Sequence, residues 1–334
     1  MAGKRHTQYQ GYRYSYDLQG VEWPPRWPWW LTPAFPAPLV FVSGTFHNNE
    51  SWHRYARQFG KKRTVILAEL PGTGEAGYLP ERYGMDFLAG ALRHILDEER
   101  MARIHLVASS DGTVVAYRLA QLYPDRLASL VLAGTMSELP SHTRPRVNSS
   151  LASLQKGEMD DFASNWVNTL MCPDPGKTIV NRRLAESVLR TDLVRMPGAA
   201  RAKYVSNAQR LLRHSMDLNE APNVRVLVFT GEHDEFTHSN DCREIAMAFP
   251  SAVFTTIQDA DHLFHIERFD TTAALLDQFI NEEPLEGIPA TNAIEVLSRG
   301  NGKPGRPGRK VISPERWRRG QDPEPPARDA PHAD

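Results

Sequence analysis

The chain has 334 residues, 41% of them hydrophobic, which is enough to build one large domain with an inserted segment. Its formal net charge of −1 creates no overall field that would favour nucleic acid or a membrane surface. No apolar run approaches the roughly 18 residues of a membrane-spanning helix and the N-terminus carries no apolar leader, so we expect a cytoplasmic protein without a transmembrane segment. Two cysteines, Cys172 and Cys242, are too few for a disulfide framework and are expected to be free thiols.

The N-terminal region, residues 1–37, is predicted to contain a strand followed by a segment rich in tryptophan and proline. Four tryptophans and five prolines lie between residues 20 and 37, a composition that excludes regular helix or strand. Because many exposed indole rings would be a liability, we expect this segment to pack against the domain, with a membrane-interface anchor as the alternative.

Short apolar runs at residues 38–42 and 64–68 predict two buried strands. Each leads directly into a loop that contains glycine, Ser-Gly-Thr-Phe-His after the first strand and Leu-Pro-Gly-Thr-Gly shortly after the second.

Residues 104–109 predict a third buried strand, which passes through a short turn centred on Ser110 directly into a helical pattern. Strand and helix nearly touch in such a turn, so small residues are required two positions before and after its centre. Ala108 and Gly112 meet this requirement for Ser110, whereas Ser109 is not flanked in this way. The side chain of Ser110 is therefore expected to stand clear of the sheet at a helix N-terminus.

Residues 137–221 show helical rather than strand periodicity and predict a helical cap. The apolar positions on which this prediction depends are Leu151, Leu154, Phe162, Trp166, Leu170, Leu184, Val188, Leu189 and Val194. Between residues 141 and 220 there are twelve Lys or Arg against eight Asp or Glu. Such a surface would suit a phosphate-bearing or acidic partner, and solvated helix faces are the alternative explanation.

Two further strand patterns precede a candidate acid and a candidate base. Residues 225–230 lead to Asp234, and residues 253–257 lead to His262. The interval of 124 residues from Ser110 to Asp234 leaves room for the cap, and the interval of 28 residues from Asp234 to His262 fits one helix plus one strand.

The chain order Ser110, Asp234, His262, with each residue after a predicted strand, resembles the α/β-hydrolase superfamily over about residues 11–282. The resemblance implies an α/β fold with a mostly parallel central sheet, helices on both faces and a helical cap inserted after the sixth strand. The expected division is 1–37 for the N-terminal strand and Trp/Pro-rich segment, 38–136 for the first half of the core, 137–221 for the cap, 222–282 for the second half of the core and 283–334 for a disordered tail.

The resemblance also implies a role for each site residue: Ser110 is the nucleophile, His262 the general base and Asp234 the carboxylate that orients the imidazole. It places the backbone donors of an oxyanion hole at Thr45 or Phe46 and at Asp111. Asp111 departs from the family pattern, because a carboxylate beside an oxyanion hole disfavours the developing negative charge unless it points away.

Several neighbours compete with these residues. Asp111 could itself be the nucleophile, as aspartates are in the related epoxide hydrolases and haloalkane dehalogenases, although branched Thr113 then fits poorly as a flanking small residue. The competing acids are Glu138, Glu232, Glu235 and Asp241, and the competing base is His265.

A cluster of possible ligands around the candidate acid and base raises the question of a metal site. Such a site is disfavoured because no two members of this cluster have a helical ligand spacing. That cluster consists of His233, Asp234, His238, Asp261 and His262.

A site of this kind attacks an acyl carbonyl and forms an acyl-serine, with neither cofactor nor metal. Residues 231–237 with Asp241, and His105 ahead of the Ser110 turn, resemble acyltransferases that take 3-hydroxyacyl chains from acyl carrier protein or coenzyme A. The resemblance implies a small-molecule acyl substrate, which coenzyme A or acyl carrier protein could carry. A plain carboxylesterase or lactonase, and a non-catalytic receptor with the same fold, are the alternatives.

From residue 283 the composition turns to Pro, Gly, Arg and Asp, which predicts disorder over residues 283–334. A basic run at residues 303–310 resembles an Arg-rich minor-groove hook. Eight basic residues against five acidic ones beyond residue 300 leave little net charge, so we expect a solvated tail and no nucleic-acid partner.

Overall fold

The computed structural model describes residues 3–22, 36–44 and 50–299. Within these ranges the strands are β1 (Gly3–Tyr9), β2 (Tyr12–Gly20), β3 (Leu39–Val42), β4 (Thr64–Glu69), β5 (Ile104–Ser109), β6 (Leu127–Ala133), β7 (Val226–Gly231), β8 (Ala252–Ile257) and β9 (Glu295–Leu297). The helices are α1 (Glu50–Phe59), α2 (Met85–Glu98), α3 (Gly112–Leu122), α4 (Arg144–Lys156), α5 (Met159–Leu170), α6 (Arg182–Val194), α7 (Gly198–Leu212), α8 (Ser239–Ala248), α9 (Phe264–Glu267) and α10 (Phe269–Ile280).

The strands form one sheet in the order β1-β2-β4-β3-β5-β6-β7-β8-β9. The strands from β3 to β8 pair in parallel, whereas β1 and β2 at one edge and β9 at the other pair antiparallel. Strands β3, β4, β5 and β7 are buried at every position, as parallel strands covered on both faces must be. This burial explains why they appear in the sequence as short continuous apolar runs.

Helices cover both faces of the sheet. Val40 and Val42 of β3 point into one apolar core with α2, α3 and α8, while Leu39 and Phe41 point into the other with α1 and α10. The predicted fold class, a mostly parallel sheet between two helical layers, is confirmed.

Helices α4 to α7 lie between β6 and β7, so the insertion follows the sixth strand, and they enclose an apolar core of their own. Of the apolar positions predicted on α6, Leu189 is buried and Val188 is half-buried. Leu184 and Val194 are exposed, and the helix buries Ala185, Leu189 and Leu193, which are spaced four residues apart. Both sets have helical spacing, and the neighbouring helices decide which face is covered.

No described helix is both long and apolar enough to cross a membrane.

The N-terminal region forms two strands where one was expected. Strands β1 and β2 are joined by Gln10 and Gly11, both with positive φ (47° and 90°), in the two-residue turn that suits the twist of a hairpin. Residues 23–35, which hold the four tryptophans of the Trp/Pro-rich segment, lie outside the described residues, so the packing of this segment stays a prediction.

The expectation of disorder from residue 283 onwards is corrected for residues 283–299. Leu285 and Ile288 are buried, and β9 pairs with β8. The polar composition of the whole tail concealed this short stretch, in which a few apolar side chains are enough to attach an edge strand. Residues 300–334 lie outside the described residues.

Candidate active site

Ser110 occupies a strained turn between β5 and α3. Its φ is +53°, in the left-handed region that non-glycine residues rarely adopt, and its N–H donates to the carbonyl oxygen of Ala133 at 3.0 Å. A Cβ on Gly112 would lie 2.7 Å from the carbonyl oxygen of Ser43, so a side chain there would force the helix away from the neighbouring loop. The predicted need for a small residue after Ser110 therefore has a steric cause.

The loops after β5, β7 and β8 bring Ser110, Asp234 and His262 together. His262 Nε2 lies 3.0 Å from Ser110 Oγ, and His262 Nδ1 lies 2.8 Å from Asp234 Oδ2. Both distances are within hydrogen-bond range, and all three residues are buried. In the arrangement that satisfies all three groups, Nδ1–H donates to the carboxylate and Nε2 accepts from the serine hydroxyl.

Asp234 is a buried carboxylate surrounded by donors. Oδ1 accepts the backbone N–H groups of Phe236 and Thr237 at 2.9 and 2.8 Å, and Oδ2 accepts the hydroxyls of Thr230 and Thr237. Burial alone would raise the pKa of Asp234, but the adjacent His262 and these hydrogen bonds outweigh it and lower the pKa below its ordinary value.

The pKa of His262 shifts in the opposite direction to that of Asp234. Burial disfavours the charged imidazolium, whereas the negative charge and hydrogen bond of Asp234 favour it, and the net effect raises the pKa of His262. Phe236 packs edge-on against this ring, with centroids 5.1 Å apart, and fixes its plane.

The expected oxyanion donors are only partly within the described residues, since Thr45 and Phe46 lie outside them. The preceding Gly44 approaches Ser110 so closely that a Cβ there would lie 2.9 Å from Ser110 Cβ and 2.6 Å from Asp111 Oδ1. The loop after β3 therefore runs beside Ser110. Asp111 stands at the N-terminus of α3 with helical φ and ψ.

The carboxylate of Asp111 lines a cavity of about 50 Å³ between core and cap, together with Gly44, Glu69, Asn207 and Arg210. Burial lowers the pKa of the Arg210 guanidinium, and the negative charge of Asp111 partly offsets this effect. The cavity is thus small, and its polar groups stand among mostly apolar lining residues such as Leu88 and Leu211.

The competing acids and the competing base lie elsewhere. Glu138 is exposed and forms a backbone bridge with Ser215. Glu232 and Glu235 are exposed as well. His265 is buried against Trp52, with the two rings stacked at 5.3 Å between centroids.

The five residues considered and disfavoured as a metal site are divided among different contacts. Asp234 and His262 bind each other, and His238 Nδ1 accepts the N–H of Asn240 at the start of α8. In the described part of the chain, the group of three such side chains whose possible ligand atoms all lie within 4.8 Å of one another is Glu232, His233 and Asp259. Asp259 is also held by Arg268 at 2.8 Å.

Several basic residues of the cap are occupied by contacts within the fold. Lys203 and Arg210 on α7 donate to backbone carbonyl oxygens of residues 74–83, and Arg182 donates to the carbonyl oxygen of Cys172. Lys203 and Arg210 thus join the cap to the core, whereas the contact of Arg182 lies within the cap.

Sequence reasoning missed the two threonines that hold Asp234 and gave Asp261 no role beside His262. Thr237 lies in the motif around Asp234 and could have been noticed there. Thr230 is the penultimate residue of β7 and carries no local signal, because only the bend of the loop brings Asp234 back over it.

Comparison with known proteins agrees with this architecture. The family model described as "alpha/beta hydrolase fold" matches residues 37–269. A 2-hydroxy-6-oxononadienedioate/2-hydroxy-6-oxononatrienedioate hydrolase of Paraburkholderia phymatum is 26% identical over 251 residues, which cover 72% of this chain and 86% of the relative. An acetyltransferase component of the acetoin cleaving system of Pseudomonas putida is 35% identical over 95 residues, covering 28% of this chain and 26% of that protein, so this match spans only about a quarter of its length.

Among solved structures, the enol-lactonase of Burkholderia xenovorans superimposes with a TM-score of 0.68 at 20% identity, covering 83% of this chain and all of that one. At that identity the likeness concerns the fold. The family model covers well over half of the chain, and the curated relatives carry the names of enzymes. The chain therefore belongs to the α/β hydrolase fold family and is an enzyme of that family.

Proposed function

We propose that the protein hydrolyses carboxylic esters through an acyl-serine intermediate, with Ser110 as nucleophile, His262 as general base and Asp234 as the group that orients it. The observation that carries the proposal is the continuous buried chain of hydrogen bonds from Ser110 Oγ through His262 to Asp234, at 3.0 and 2.8 Å. A serine hydroxyl is a weak nucleophile at its ordinary pKa, and an adjacent base held in one orientation is what activates it.

In this proposal Ser110 Oγ attacks the acyl carbonyl carbon while its proton passes to His262 Nε2. The tetrahedral oxyanion is stabilised by the N–H of Asp111 and a second N–H from Thr45 or Phe46. His262 then protonates the departing alcohol oxygen, and the acyl group remains on Ser110. A water molecule then attacks the carbonyl carbon of the acyl-serine and gives its proton to His262. His262 returns a proton to Ser110 Oγ as the acid departs.

The substrate class is proposed from the name of a relative and from the contacts of two basic cap residues. A pimeloyl-[acyl-carrier protein] methyl ester esterase of Aeromonas hydrophila is 34% identical over 94 residues, and the name of that protein describes ester cleavage. Lys203 and Arg210, two of the twelve basic residues counted in the cap, donate to core carbonyl groups and are not directed at a carrier phosphate. These observations favour an ester over a carrier-bound thioester, and water over a second acyl acceptor.

The test compares Ser110→Ala with Ser109→Ala in the full-length protein. Ser110→Ala should abolish covalent labelling by a fluorophosphonate probe and reduce turnover of a p-nitrophenyl ester by on the order of 10³-fold or more. Ser109 is buried in the same turn but is not bonded to His262, so Ser109→Ala should keep both properties. An adduct on Ser109, or an ester formed on Asp111, would refute the assignment.

Intact-protein mass spectrometry after exposure to matched esters and acyl-coenzyme A thioesters tests the substrate class. We expect an acyl adduct from the esters. An adduct from thioesters alone, or acyl transfer to an added alcohol in preference to water, would support an acyltransferase instead.

A further inference from the structure

The loop that carries His262 is also the surface on which part of the cap rests. The cap segment between α5 and α6, residues 171–181, lies along residues 258–267. The N–H of Val180 donates to the carbonyl oxygen of Asp259 at 2.9 Å, and the side chain of Asn181 donates to the carbonyl oxygen of Glu267 at 3.0 Å.

Asp261 joins these two segments by a single carboxylate. Oδ1 accepts the backbone N–H of His262 at 2.8 Å, and Oδ2 accepts the backbone N–H of Cys172 in the cap. The Asp261 backbone N–H donates in turn to Glu267 Oε2 at 2.7 Å. Asp261 has no solvent exposure, so water is not available to replace either bond.

The chemistry of this contact requires a carboxylate. Two N–H groups approach from different segments, and each needs its own acceptor oxygen. An asparagine of the same shape offers one oxygen, and its NH₂ group would face the second N–H. Burying a charge is costly, so a neutral residue would be the better choice for packing alone.

We propose that Asp261 is a positioning residue that couples the docking of the cap to the orientation of His262. The inference rests on the proposed function, in which His262 is the base. Asp234 fixes the ring of His262 through Nδ1, and Asp261 fixes the backbone from which that ring projects. A displacement of about 1 Å at a catalytic group can cost about 10²-fold in rate, so loss of the second restraint affects the chemical step.

The charged and titratable groups around Asp261 agree with this role. Asp234, His262 and Glu267 belong to the core loops, and Cys172 and Arg182 belong to the cap. Burial raises the pKa of Asp261 to about 7 and that of Glu267 to about 8, so both carboxyls are retained at an electrostatic cost.

The experiment compares Asp261→Asn with Asp259→Asn. Asp259 lies two residues earlier in the same loop, and its side chain binds Arg268, so this variant removes a carboxylate without touching the bonds to Cys172 or His262. Its φ of +48° is a conformation that asparagine tolerates. Hydrogen exchange at the Cys172 amide reports cap docking, and steady-state kinetics on a short p-nitrophenyl ester report the chemistry.

We expect Asp261→Asn to accelerate exchange at Cys172 and to lower kcat, each by about tenfold or more, because the amide accepts only one of the two N–H groups and its NH₂ repels the other, which loosens the contact between the two segments. KM for the short ester should change little. Active sites are counted by fluorophosphonate titration, so that kcat refers to folded protein only. Asp259→Asn should match the wild type in both measurements.

A purely structural role would lower the melting temperature but leave kcat per titrated site unchanged, and that result would overturn the proposal, as would unchanged exchange at Cys172. If Asp261→Asn does not fold, Asp261→Ser, smaller and also uncharged, carries the same test. Failure of the proposed function is recognised separately, because wild-type Ser110 would then not be labelled, whereas the exchange measurement would still report whether Asp261 holds the cap.

Discussion

Asp234 remains charged although it is almost fully removed from solvent. Two backbone N–H groups and the hydroxyls of Thr230 and Thr237 take the place of water around it. Only one of its oxygens reaches the imidazole, and the remaining bonds fix the direction in which that oxygen points. This contact lowers the pKa of Asp234 and raises that of His262, and the hydrogen bonds from Thr230 and Thr237 add to the first effect.

The proposed role of His262 predicts a pH dependence. The imidazole must be neutral to accept a proton, so kcat/KM should rise with pH, with a midpoint above the ordinary histidine value of about 6.5. Asp234→Asn removes the charge that raises this pKa and leaves the burial that lowers it. The midpoint should therefore move to lower pH, and kcat should fall by on the order of 10⁴-fold because the amide favours the wrong tautomer.

Initial rates on a p-nitrophenyl ester from pH 5 to 9 measure both effects. Glu235→Gln removes an exposed carboxylate from the neighbouring position and should leave the profile unchanged. A midpoint that stays in place in Asp234→Asn would show that another carboxylate controls the base.

Strand β9 shows how a short element can depend on distant partners. Val296 pairs with Val253 of β8, and Glu295 binds Arg243 of α8 at 2.7 Å. Upstream of the strand, Leu285 and Ile288 are buried in the core layer next to α10. These contacts cover the edge of β8, which would otherwise present unpaired backbone groups.

A chain that ends after Asn281 should therefore be less stable than one that ends after Arg299. The longer form keeps β9 and both buried side chains, each of which stabilises by about 1.5–3 kcal/mol. Loss of several kcal/mol should lower the melting temperature of the shorter form by on the order of 10 °C. Differential scanning calorimetry of the two truncations and the full-length protein measures this, and equal melting temperatures would show that β9 adds nothing.

Helix α7 holds the cap over the core through polar contacts with the loop that follows β4. Ser206 and Asn207 donate to the carbonyl oxygens of Leu79 and Gly72, and Arg210 donates to several carbonyl oxygens of the same loop. Because these donors are buried, the cap is attached by groups that cannot exchange their partners for water.

Arg210→Met should destabilise the protein far more than Arg213→Met. The first change leaves buried carbonyl oxygens without a donor and removes a cation that interacts with Asp111, at a cost of about 3 kcal/mol. Arg213 is exposed and pairs with exposed Glu81 at 2.9 Å, an interaction that contributes about 1 kcal/mol or less. Thermal unfolding of both variants measures the difference, and equal losses would contradict the assignment of α7 as the attachment of the cap.

Five of the central parallel strands, β3, β4, β5, β7 and β8, could be derived from local sequence, as could the placement of Ser110, Asp234 and His262 after three of them. The steric demands of the turn at Ser110 act between residues two positions apart, so Ala108 and Gly112 reveal it directly. Buried parallel strands must be apolar along their whole length, which makes each one visible as a short run.

Other features required the folded chain. The buried face of α6, the attachment of β9 and the desolvation of Arg210 each depend on which surface lies opposite, and several surfaces are compatible with the same local pattern. Asp261 and Cys172 are separated by 89 positions in the chain and meet only because the cap folds back over the histidine loop. A local sequence pattern identifies a residue when its constraints come from residues nearby in the chain. Contacts between residues that are distant in the chain are set by tertiary packing, and no local pattern records them.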